Sequence, residues 1–476
     1  MSTALERDLD RLRKEKEQGA THGEWGELFH LMPPVGWLND PNGLCQYQGR
    51  YRAYFQYAPF DVNGGVKCWG YQTSTDLLQW HYEGCPLYPD QPSDVSGVYS
   101  GSALVQPDGI HIFYTGNVKL EDRDGYDYIR TGREANTIHT VTTDGLHFGP
   151  KHVVMRNSDY PEDDTCHVRD PKVWQDGGSF WMVQGARRSD DVGEILLFHA
   201  DDLDRWTLEA RLTTPEPFGF MWECPDYFNL TDKAGETHHI LSTSPQGLSG
   251  GAWDRRNVYQ SGFFELTSPI QENPSFSGFT LWDAGFDFYA PQTFQADDGR
   301  RILIGWMGMP DTPDITNLTI ADGWQHCFTL PHEISFEDGQ VVQKPVRELA
   351  EHRTDEQSAQ GSFVDMGTPA FDCEIENANQ PFTATIAHEL RLSWDGHVFR
   401  MAFEDPAMDS VGAGRTERFE ELPELMGLRI VTDASSVEVF LEGVPYTFST
   451  RFYPKQHSFI VDAAPEVTTT FWSLSF

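Results

Sequence analysis

Five similar segments repeat along this sequence, and they constrain its fold more than any other feature. Each segment starts at a glycine that follows a turn signal, and alternating apolar residues come next. The segments are GRYRAYFQYAP from Gly49, GIHIFYTGN from Gly109, GSFWMVQGA from Gly178, GETHHILSTSP from Gly235 and GRRILIGWMG from Gly299. Alternating runs bounded by glycine indicate β-hairpins. Self-similarity at a period of roughly 60 residues is typical of a repeat architecture.

A second element supports the register of the first three repeats. The stretches TSTDLLQW (73–80), TTDGLHFG (142–149) and HADDLDRW (199–206) each carry an Asp, then Leu, then Trp or Phe. Radial four-stranded sheets form the blades of a propeller. The sequence therefore predicts an all-β protein in which residues 22–345 form a five-bladed β-propeller. The alternative is a chance set of hairpins in a β-sandwich.

The two ends of the chain differ from the repeats. Leu5, Leu9 and Leu12 recur at helical spacing, which predicts a short helical extension over residues 1–21. Residues 346–358 are polar and predict a short linker helix. Alternating runs follow, so residues 359–476 are predicted to form a C-terminal β-sandwich. This unit shows no catalytic pattern, and we expect it to shield the flank of the propeller rather than mediate dimers or bind sugar.

Charge and cysteine content exclude several kinds of partner and site. The formal net charge is −38, which repels phosphate backbones and anionic lipid, so neither nucleic acid nor a membrane is expected as a partner. The seven cysteines are odd in number and form no Cys-x-x-Cys pair, which favours a reducing compartment over a disulfide framework. With no secretory signal at the N-terminus, the sequence predicts a cytoplasmic monomer or homodimer. No metal or cofactor is expected.

Each repeat carries a polar residue just upstream of its glycine, near the start of the preceding strand. These residues are Asp40 in WLNDPNG, Ser100 in VYSGSAL, Asp170 in HVRDPKVW, Glu223 in MWECPDYF and Tyr289 in DFYAPQTF. The innermost strand of each blade lines the central channel of a propeller. If the upstream strands are innermost, the five side chains occupy equivalent places and converge at one end of that channel. Trp37, Trp69 and Trp222 are expected close by.

Three carboxylates among aromatic residues, without metal-ligand spacing, indicate glycoside hydrolysis. Glu223 lies in an apolar stretch, where loss of water favours the protonated form that a general acid needs. Asp40 or Asp170 would then be the ionised partner. Each of these aspartates precedes a proline, so an Asx-turn is the alternative interpretation for either alone. These residues alone do not show which aspartate is the ionised partner of Glu223. They also do not show whether the anomeric configuration is retained or inverted.

The blocks WLNDPNG, YSGSAL, HVRDPKVW, WECPD and GFDFYAPQTF, in this order, resemble the signature blocks of glycoside hydrolase family 32, the β-fructosidases. The resemblance runs from about residue 28 to the C-terminus and implies a five-bladed propeller followed by a β-sandwich. It implies a retaining mechanism with Asp40 as the nucleophile, Glu223 as the acid/base and Asp170 as the transition-state stabiliser. Arg169 would lie near Asp170, and Tyr289 near the nucleophile.

The resemblance also assigns substrate-binding positions. Asn39, Gln56, Trp69 and Ser100 match positions that line the fructose pocket, and Cys224 matches a position that tunes the acid/base. Two residues depart from the family pattern: Tyr71 stands where the family often has His, and His332 stands where it has Arg. Neither departure involves the three carboxylates, but both bear on the rim of the pocket.

Small sugars are the expected partners: sucrose, sucrose-6-phosphate or short fructo-oligosaccharides. Three other readings are a fructosyltransferase, an inverting five-bladed-propeller glycosidase of the arabinanase type, and a sugar-binding protein without activity. A phosphorylated substrate requires a basic cluster at the rim. Arg187 and Arg188 are candidates, although the two aspartates after them favour a solvated charged loop.

Overall fold

The computed structural model describes residues 3–248, 257–312, 316–405 and 415–476. The protein is all-β with a short N-terminal α-helix, α1 (Ala4–Leu12), as predicted. Thr3 and Glu6 form a capping box at its start, and a π-helix (Arg13–Glu17) continues it. Leu9 and Leu12 are buried, so the helix packs on the body of the protein. No helix among the described residues is long and apolar enough to cross a membrane.

Among the described residues, twenty-two strands precede residue 346. They are β1 (Gly36–Tyr47), β2 (Arg50–Ala58), β3 (Cys68–Ser74), β4 (His81–Leu87), β5 (Gly97–Gln106), β6 (Gly109–Lys119), β7 (Arg133–Thr142), β8 (His152–Met155), β9 (Asp164–Asp176), β10 (Ser179–Arg188), β11 (Gly193–Ala200), β12 (Thr207–Leu212), β13 (Met221–Thr231), β14 (Thr237–Gln246), β15 (Gly262–Leu266), β16 (Thr280–Leu281), β17 (Tyr289–Gln295), β18 (Arg301–Met307), β19 (Trp324–Gln325), β20 (Cys327–Phe328), β21 (His332–Glu337) and β22 (Gln340–Pro345).

These strands form antiparallel sheets that follow the chain: β1–β4, β5–β8, β9–β12, β13–β16, and β17–β18 with β20–β22. The late strand β19 joins the first sheet instead, pairing in parallel with β1. The five repeat glycines lie at the turns between the first and second strands of these sheets, with φ between 73° and 151°. Such angles are costly for residues with a Cβ. The predicted hairpins are therefore confirmed.

The first strands of the five sheets form a ring. β1 contacts β5, β5 contacts β9, β9 contacts β13, β13 contacts β17, and β17 contacts β1. Neighbouring sheets approach closely. At Gly185 of β10 there is no room for a side chain, since a Cβ added there would lie 1.7 Å from the carbonyl oxygen of Trp222 in β13. The upstream polar residues therefore belong to the strands that face one another.

In the part of the chain after residue 352 that the structure describes, there are twelve strands. They are β23 (Arg353–Gln360), β24 (Phe363–Met366), β25 (Phe371–Glu376), β26 (Phe382–Ile386), β27 (Leu390–Trp394), β28 (Val398–Phe403), β29 (Glu417–Glu421), β30 (Gly427–Thr432), β31 (Ser436–Leu441), β32 (Thr447–Arg451), β33 (Ser458–Ala463) and β34 (Thr468–Leu474). They form two six-stranded sheets in the orders β23-β34-β25-β30-β31-β32 and β24-β33-β26-β27-β28-β29. One hydrophobic core takes residues from both sheets, including Phe371, Leu392, Phe399 and Val439, which is the arrangement of a β-sandwich.

The start of this sandwich differs from the prediction. A 3₁₀-helix occupies Arg347–His352, but β23 begins at Arg353, inside the predicted linker 346–358. Most of the side chains of β23 are exposed, so no alternation of apolar residues announces it. Its pairing with β34, from Arg353 with Leu474 to Gln360 with Thr468, is what makes it a strand.

A buried charged network joins the segment before β1 to the sandwich. Asp433 accepts hydrogen bonds from the backbone N–H groups of Leu28, Phe29 and His30. The His30 ring contacts Asp433 through Nδ1 and Glu438 through Nε2, both at 2.8 Å. Although burial opposes the charged ring, these carboxylates raise the pKa of His30 to about 10. Burial also opposes the ionisation of Glu438, but hydrogen bonds from His30 and His332 hold its pKa at about 2.

We expect His30→Gln to lower the free energy of unfolding by about 3–5 kcal/mol near pH 6, because two buried carboxylates lose their cationic partner. The contribution of His30 is complete below its unfolded pKa of about 6.5 and is lost as pH rises toward 10. In urea unfolding, the free energies of unfolding of the variant and the wild type should therefore differ strongly at about pH 6 and only slightly at about pH 10. His397→Gln, whose side chain is 70% exposed, is the control. A difference that does not shrink with pH would contradict this account.

Candidate active site

A cavity of about 520 Å³ opens where the first strands of the five sheets begin. The predicted site residues that line it are Asn39, Asp40, Gln56, Ser100, Arg169, Glu223 and Tyr289. Asp170 and Cys224 lie just behind this lining and contact each other. Residues distant in sequence thus meet at one end of the ring of strands.

A β-bulge in each ring strand explains why neighbouring residues reach the same cavity. Two residues of the ring strand stand against one of its partner between the paired residues Leu38 and Pro41, Val98 and Gly101, Arg169 and Lys172, Glu223 and Asp226, and Tyr289 and Gln292. A regular strand would send Asn39 and Asp40 to opposite faces, and the extra residue breaks that alternation. The five polar residues are not equivalent, however: Asp40 lies inside its bulge, whereas Glu223 and Tyr289 are the paired residues before theirs.

Asp40 is held by groups from two other sheets. The hydroxyl of Ser100 donates to Asp40 Oδ2 at 2.5 Å, and the thiol of Cys224 lies 3.9 Å from the same oxygen. Burial raises the pKa of Asp40, and the nearby Glu223 carboxylate acts in the same direction. The hydrogen bonds from Ser100 and Asn39 oppose this shift because they stabilise the ionised form.

Asp170 adopts a left-handed backbone conformation, with φ of 65°. Its Oδ2 accepts the backbone N–H of Cys224 at 2.9 Å and lies 3.5 Å from the thiol of the same residue. Burial raises the pKa of Asp170, and the Glu223 and Asp40 carboxylates contribute, although Arg169 opposes the shift. The Cys224 thiol therefore lies between the two aspartates, nearer to Asp170, and its role in tuning Glu223 stays a prediction.

Glu223 is surrounded by polar groups. Its Oε2 accepts hydrogen bonds from Gln246 Nε2 at 2.8 Å and from the Tyr289 hydroxyl at 3.0 Å. Its Oε1 lies 3.3 Å from Arg169 Nη1 and 3.4 Å from His167 Nε2. The expectation of apolar surroundings was wrong, because the apolar neighbours in sequence point elsewhere. The Tyr289 hydroxyl bonds a carboxylate, and that carboxylate is Glu223.

Two of the three expected tryptophans lie outside the cavity. Trp222 belongs to a hydrophobic core, and its indole N–H donates to the Phe218 carbonyl at 2.6 Å. Trp69 is fully buried behind the wall, where it donates to the Tyr99 carbonyl at 3.0 Å. Of the three expected tryptophans, only Trp37 lines the cavity, and its indole N–H donates to Asn39 Oδ1 at 2.8 Å. Trp69 therefore supports the wall and does not form its surface.

The amides of Asn39 and Gln56 form a chain beside Asp40. Asn39 Nδ2 donates to Gln56 Oε1 at 2.9 Å, and Lys67 Nζ donates to Asn39 Oδ1 at 2.9 Å. Burial lowers the pKa of Lys67 to about 8, although the nearby Asp40 carboxylate opposes this shift. Lys67 and Gln246 were not predicted from the sequence, because neither belongs to a ring strand: Lys67 lies in the loop that leads into β3, and Gln246 ends β14. His167 was also missed, although it precedes Arg169 by two positions and so shares its face.

The rim contains one of the two candidate arginines. Arg187 lines the cavity, lies 4.2 Å over the Phe220 ring and pairs with Asp191 at 2.9 Å. Arg188 pairs with Asp190 at 2.7 Å at the surface. The two family departures do not reach the cavity. Tyr71 is buried against Tyr54 with its hydroxyl hydrogen-bonded to Arg52, and His332 lies between Glu438 and Gln343.

Two family models match the chain over most of its length. The model for the glycosyl hydrolases family 32 N-terminal domain matches residues 30–345. The model for the glycosyl hydrolases family 32 C-terminal domain matches residues 350–473. The two matches meet close to the predicted end of the first unit at residue 345.

Relatives and solved structures agree with these matches. Sucrose-6-phosphate hydrolase of Bacillus subtilis (strain 168) is 35% identical, and the alignment covers 99% of this chain and 100% of the relative. Raffinose invertase of Escherichia coli is 35% identical, with 93% of each chain covered. The structure of sucrose-6-phosphate hydrolase from Lactobacillus gasseri matches with a TM-score of 0.87 at 25% identity, covering 98% of this chain and 96% of that one. By sequence and by structure, the chain belongs to glycosyl hydrolase family 32.

Proposed function

We propose that this protein hydrolyses terminal β-D-fructofuranosides of the sucrose type with retention of configuration, through a covalent fructosyl-Asp40 intermediate. The observation that carries the proposal is the convergence of three carboxyl groups around one cavity. Asp40 and Asp170 are linked through the Cys224 thiol, and Glu223 faces the same space from the neighbouring strand. Relatives named sucrose-6-phosphate hydrolase and raffinose invertase support this substrate class.

In the first step, an Asp40 oxygen attacks the anomeric carbon C2 of the fructosyl unit. Glu223 gives its proton to the glycosidic oxygen, and the bond from C2 to the leaving sugar breaks. In the second step, Glu223 takes a proton from water, and the resulting hydroxide attacks C2 and releases Asp40. Asp170 binds fructosyl hydroxyls and stabilises the charge that develops on the ring, and Arg169 pairs with Glu223.

Product stereochemistry separates this mechanism from the inverting alternative. We expect proton NMR in the first minutes of sucrose hydrolysis to show β-D-fructofuranose as the first-formed fructose anomer. Release of the α-anomer would refute the covalent mechanism. Formation of trisaccharide as the main product in concentrated sucrose would favour the fructosyltransferase alternative.

Substrate preference is tested by comparing kcat/KM on sucrose, sucrose-6-phosphate and kestose. All three should release fructose, because the cavity holds the reacting carboxylates at its inner end and is open at the rim. At that rim Arg187 is already paired with Asp191. Absence of fructose release from every one of them would refute the proposed function.

We also propose that residues 22–345 form a five-bladed β-propeller. The closed ring of five first strands supports it, as does the one repeat glycine at the corresponding turn of each sheet. A cytoplasmic location is supported by the seven cysteines, all of which are free thiols. Monomer or homodimer stays a prediction, and light scattering after gel filtration tests it.

The pH dependence of kcat/KM should reflect the raised pKa of Asp40. Asp40 attacks only when ionised, so activity is lost as pH falls through its folded pKa, which burial raises above the usual value of about 3.9. We expect the acid limb of the profile above that value. Ser100→Ala removes a hydrogen bond to the ionised form, so it should move the limb further up in pH. Ser96→Ala, whose hydroxyl bonds the backbone of Lys119, is the control. An acid limb below about pH 4 in the wild type would contradict the assignment.

A further inference from the structure

His167 is a buried residue of the cavity wall whose ring nitrogens have no hydrogen-bond partner among the described residues. Its side chain is 5% exposed. The Nε2 atom lies 3.4 Å from Glu223 Oε1, close to the group that protonates the leaving oxygen in the proposed function. A buried polar side chain without partners is costly in a folded protein, so such a group in a binding cavity calls for a partner supplied by the ligand.

The charges of three arginines act on this imidazole. Burial holds the pKa of His167 well below its usual value, and the charges of Arg169, Arg133 and Arg187 act in the same direction. Both effects favour the neutral form of the ring. A neutral imidazole has one N–H donor and one acceptor nitrogen, so whichever nitrogen faces the cavity can bond a sugar hydroxyl, which both donates and accepts.

The position of His167 on β9 places it on the outer side of the reacting carboxylates. It precedes Arg169 and Asp170, and the paired strand at this level ends in Arg187 and Arg188, which are 19% and 31% exposed. His167 lines the cavity, whereas Asp170 lies behind this lining in contact with Cys224. In a cleavage that holds the fructosyl unit between Asp40 and Asp170, the leaving sugar occupies the space toward the rim.

We propose that His167 is a specificity-determining residue that hydrogen-bonds a hydroxyl of the leaving sugar. This inference rests on the proposed function, because it takes Glu223 as the group that meets the leaving oxygen. The ligand class is the sugar attached to the fructosyl unit, a glucosyl ring in sucrose. A site built to bond a hydroxyl discriminates strongly against leaving groups that lack one.

The test compares two substrates with the same fructosyl unit. Glucose is the leaving group of sucrose, whereas methanol is the leaving group of methyl β-D-fructofuranoside. The methyl group of the second substrate carries no hydroxyl for His167 to bind. We expect His167→Ala to lower kcat/KM on sucrose about 10- to 100-fold, mainly through KM. It should change kcat/KM on the methyl fructoside less than about threefold. His167→Gln, which keeps a donor and an acceptor, should recover part of the loss on sucrose.

Equal losses on both substrates would overturn the proposal and assign His167 to the positioning of Glu223. A second measurement does not depend on turnover. In the Asp40→Ala background, adding His167→Ala should weaken sucrose binding in calorimetry and leave fructose binding unchanged; unchanged sucrose binding would overturn the proposal. If the wild type hydrolyses neither substrate, the proposed function itself fails, whereas hydrolysis of both with equal variant losses contradicts this inference alone.

Discussion

Replacing Asp40 with alanine is expected to reduce the rate of sucrose hydrolysis by about 10⁴-fold or more, because the covalent route loses its nucleophile. Substrate binding should persist, since Asn39, Gln56, Asp170 and Arg169 remain in place. Sucrose should therefore still bind in calorimetry while fructose release falls to background. Asp201→Ala, whose carboxylate is 94% exposed, should behave as wild type.

Added azide makes the test of Asp40 specific. In the space that alanine leaves, azide can attack C2 from the side that the Asp40 carboxylate occupied. The product should then be a fructosyl azide of inverted configuration, while Glu223 still protonates the leaving oxygen. Full activity in Asp40→Ala, or azide rescue with retention, would contradict the assignment of the nucleophile.

Replacing Glu223 with glutamine is the second large expected effect. The amide keeps the shape of the side chain but neither gives nor takes a proton, so kcat on sucrose should fall by about 10²–10⁴-fold. An aryl β-D-fructofuranoside needs no protonation of its leaving group, so its first step should be much less impaired. Fructosyl-Asp40 should then accumulate and be detectable by intact-protein mass spectrometry.

Azide distinguishes Glu223 from Asp40. Because azide is already anionic, it needs no general base and should release the fructosyl unit from Asp40 in Glu223→Gln. That product forms by two inversions and should have retained configuration. Gln246→Ala is the matched control: it removes a hydrogen bond to Glu223 Oε2 but no proton-transfer group, so its effect should be far smaller. Equal losses in the two variants would argue against Glu223 as the acid/base.

The repeat predicted the hairpins because a turn glycine and alternating apolar residues are local signals. Gly49 and its four counterparts lie at the predicted turns. The stretches with Asp, Leu and then Trp or Phe in the first three repeats also have a structural meaning: they start at the ends of β3, β7 and β11 and lead into the fourth strands. Features that are set by residues close in sequence, such as turns and hairpins, could therefore be predicted from the sequence.

The features that sequence reasoning missed depend on pairing between strands. The bulge that turns both Asn39 and Asp40 into the cavity is set by the register with β2, which no periodicity reveals. Gln246 reaches Glu223 because it ends the strand paired with β13. β23 was misplaced because its side chains are exposed and only its partner β34 defines it.

The parallel pairing of β19 with β1 sets a condition on when the protein can become active. Trp324 and Gln325 pair with Gly36 and Trp37, so the strand that bears Asp40 gains this neighbour only after most of the chain has left the ribosome. Asp433 holds the residues that lead into the same strand, and it is made later still. Contacts so distant in sequence form slowly. The strand that bears Asp40 therefore gains these two supports late in synthesis, after Trp324 and Asp433 have been added to the chain.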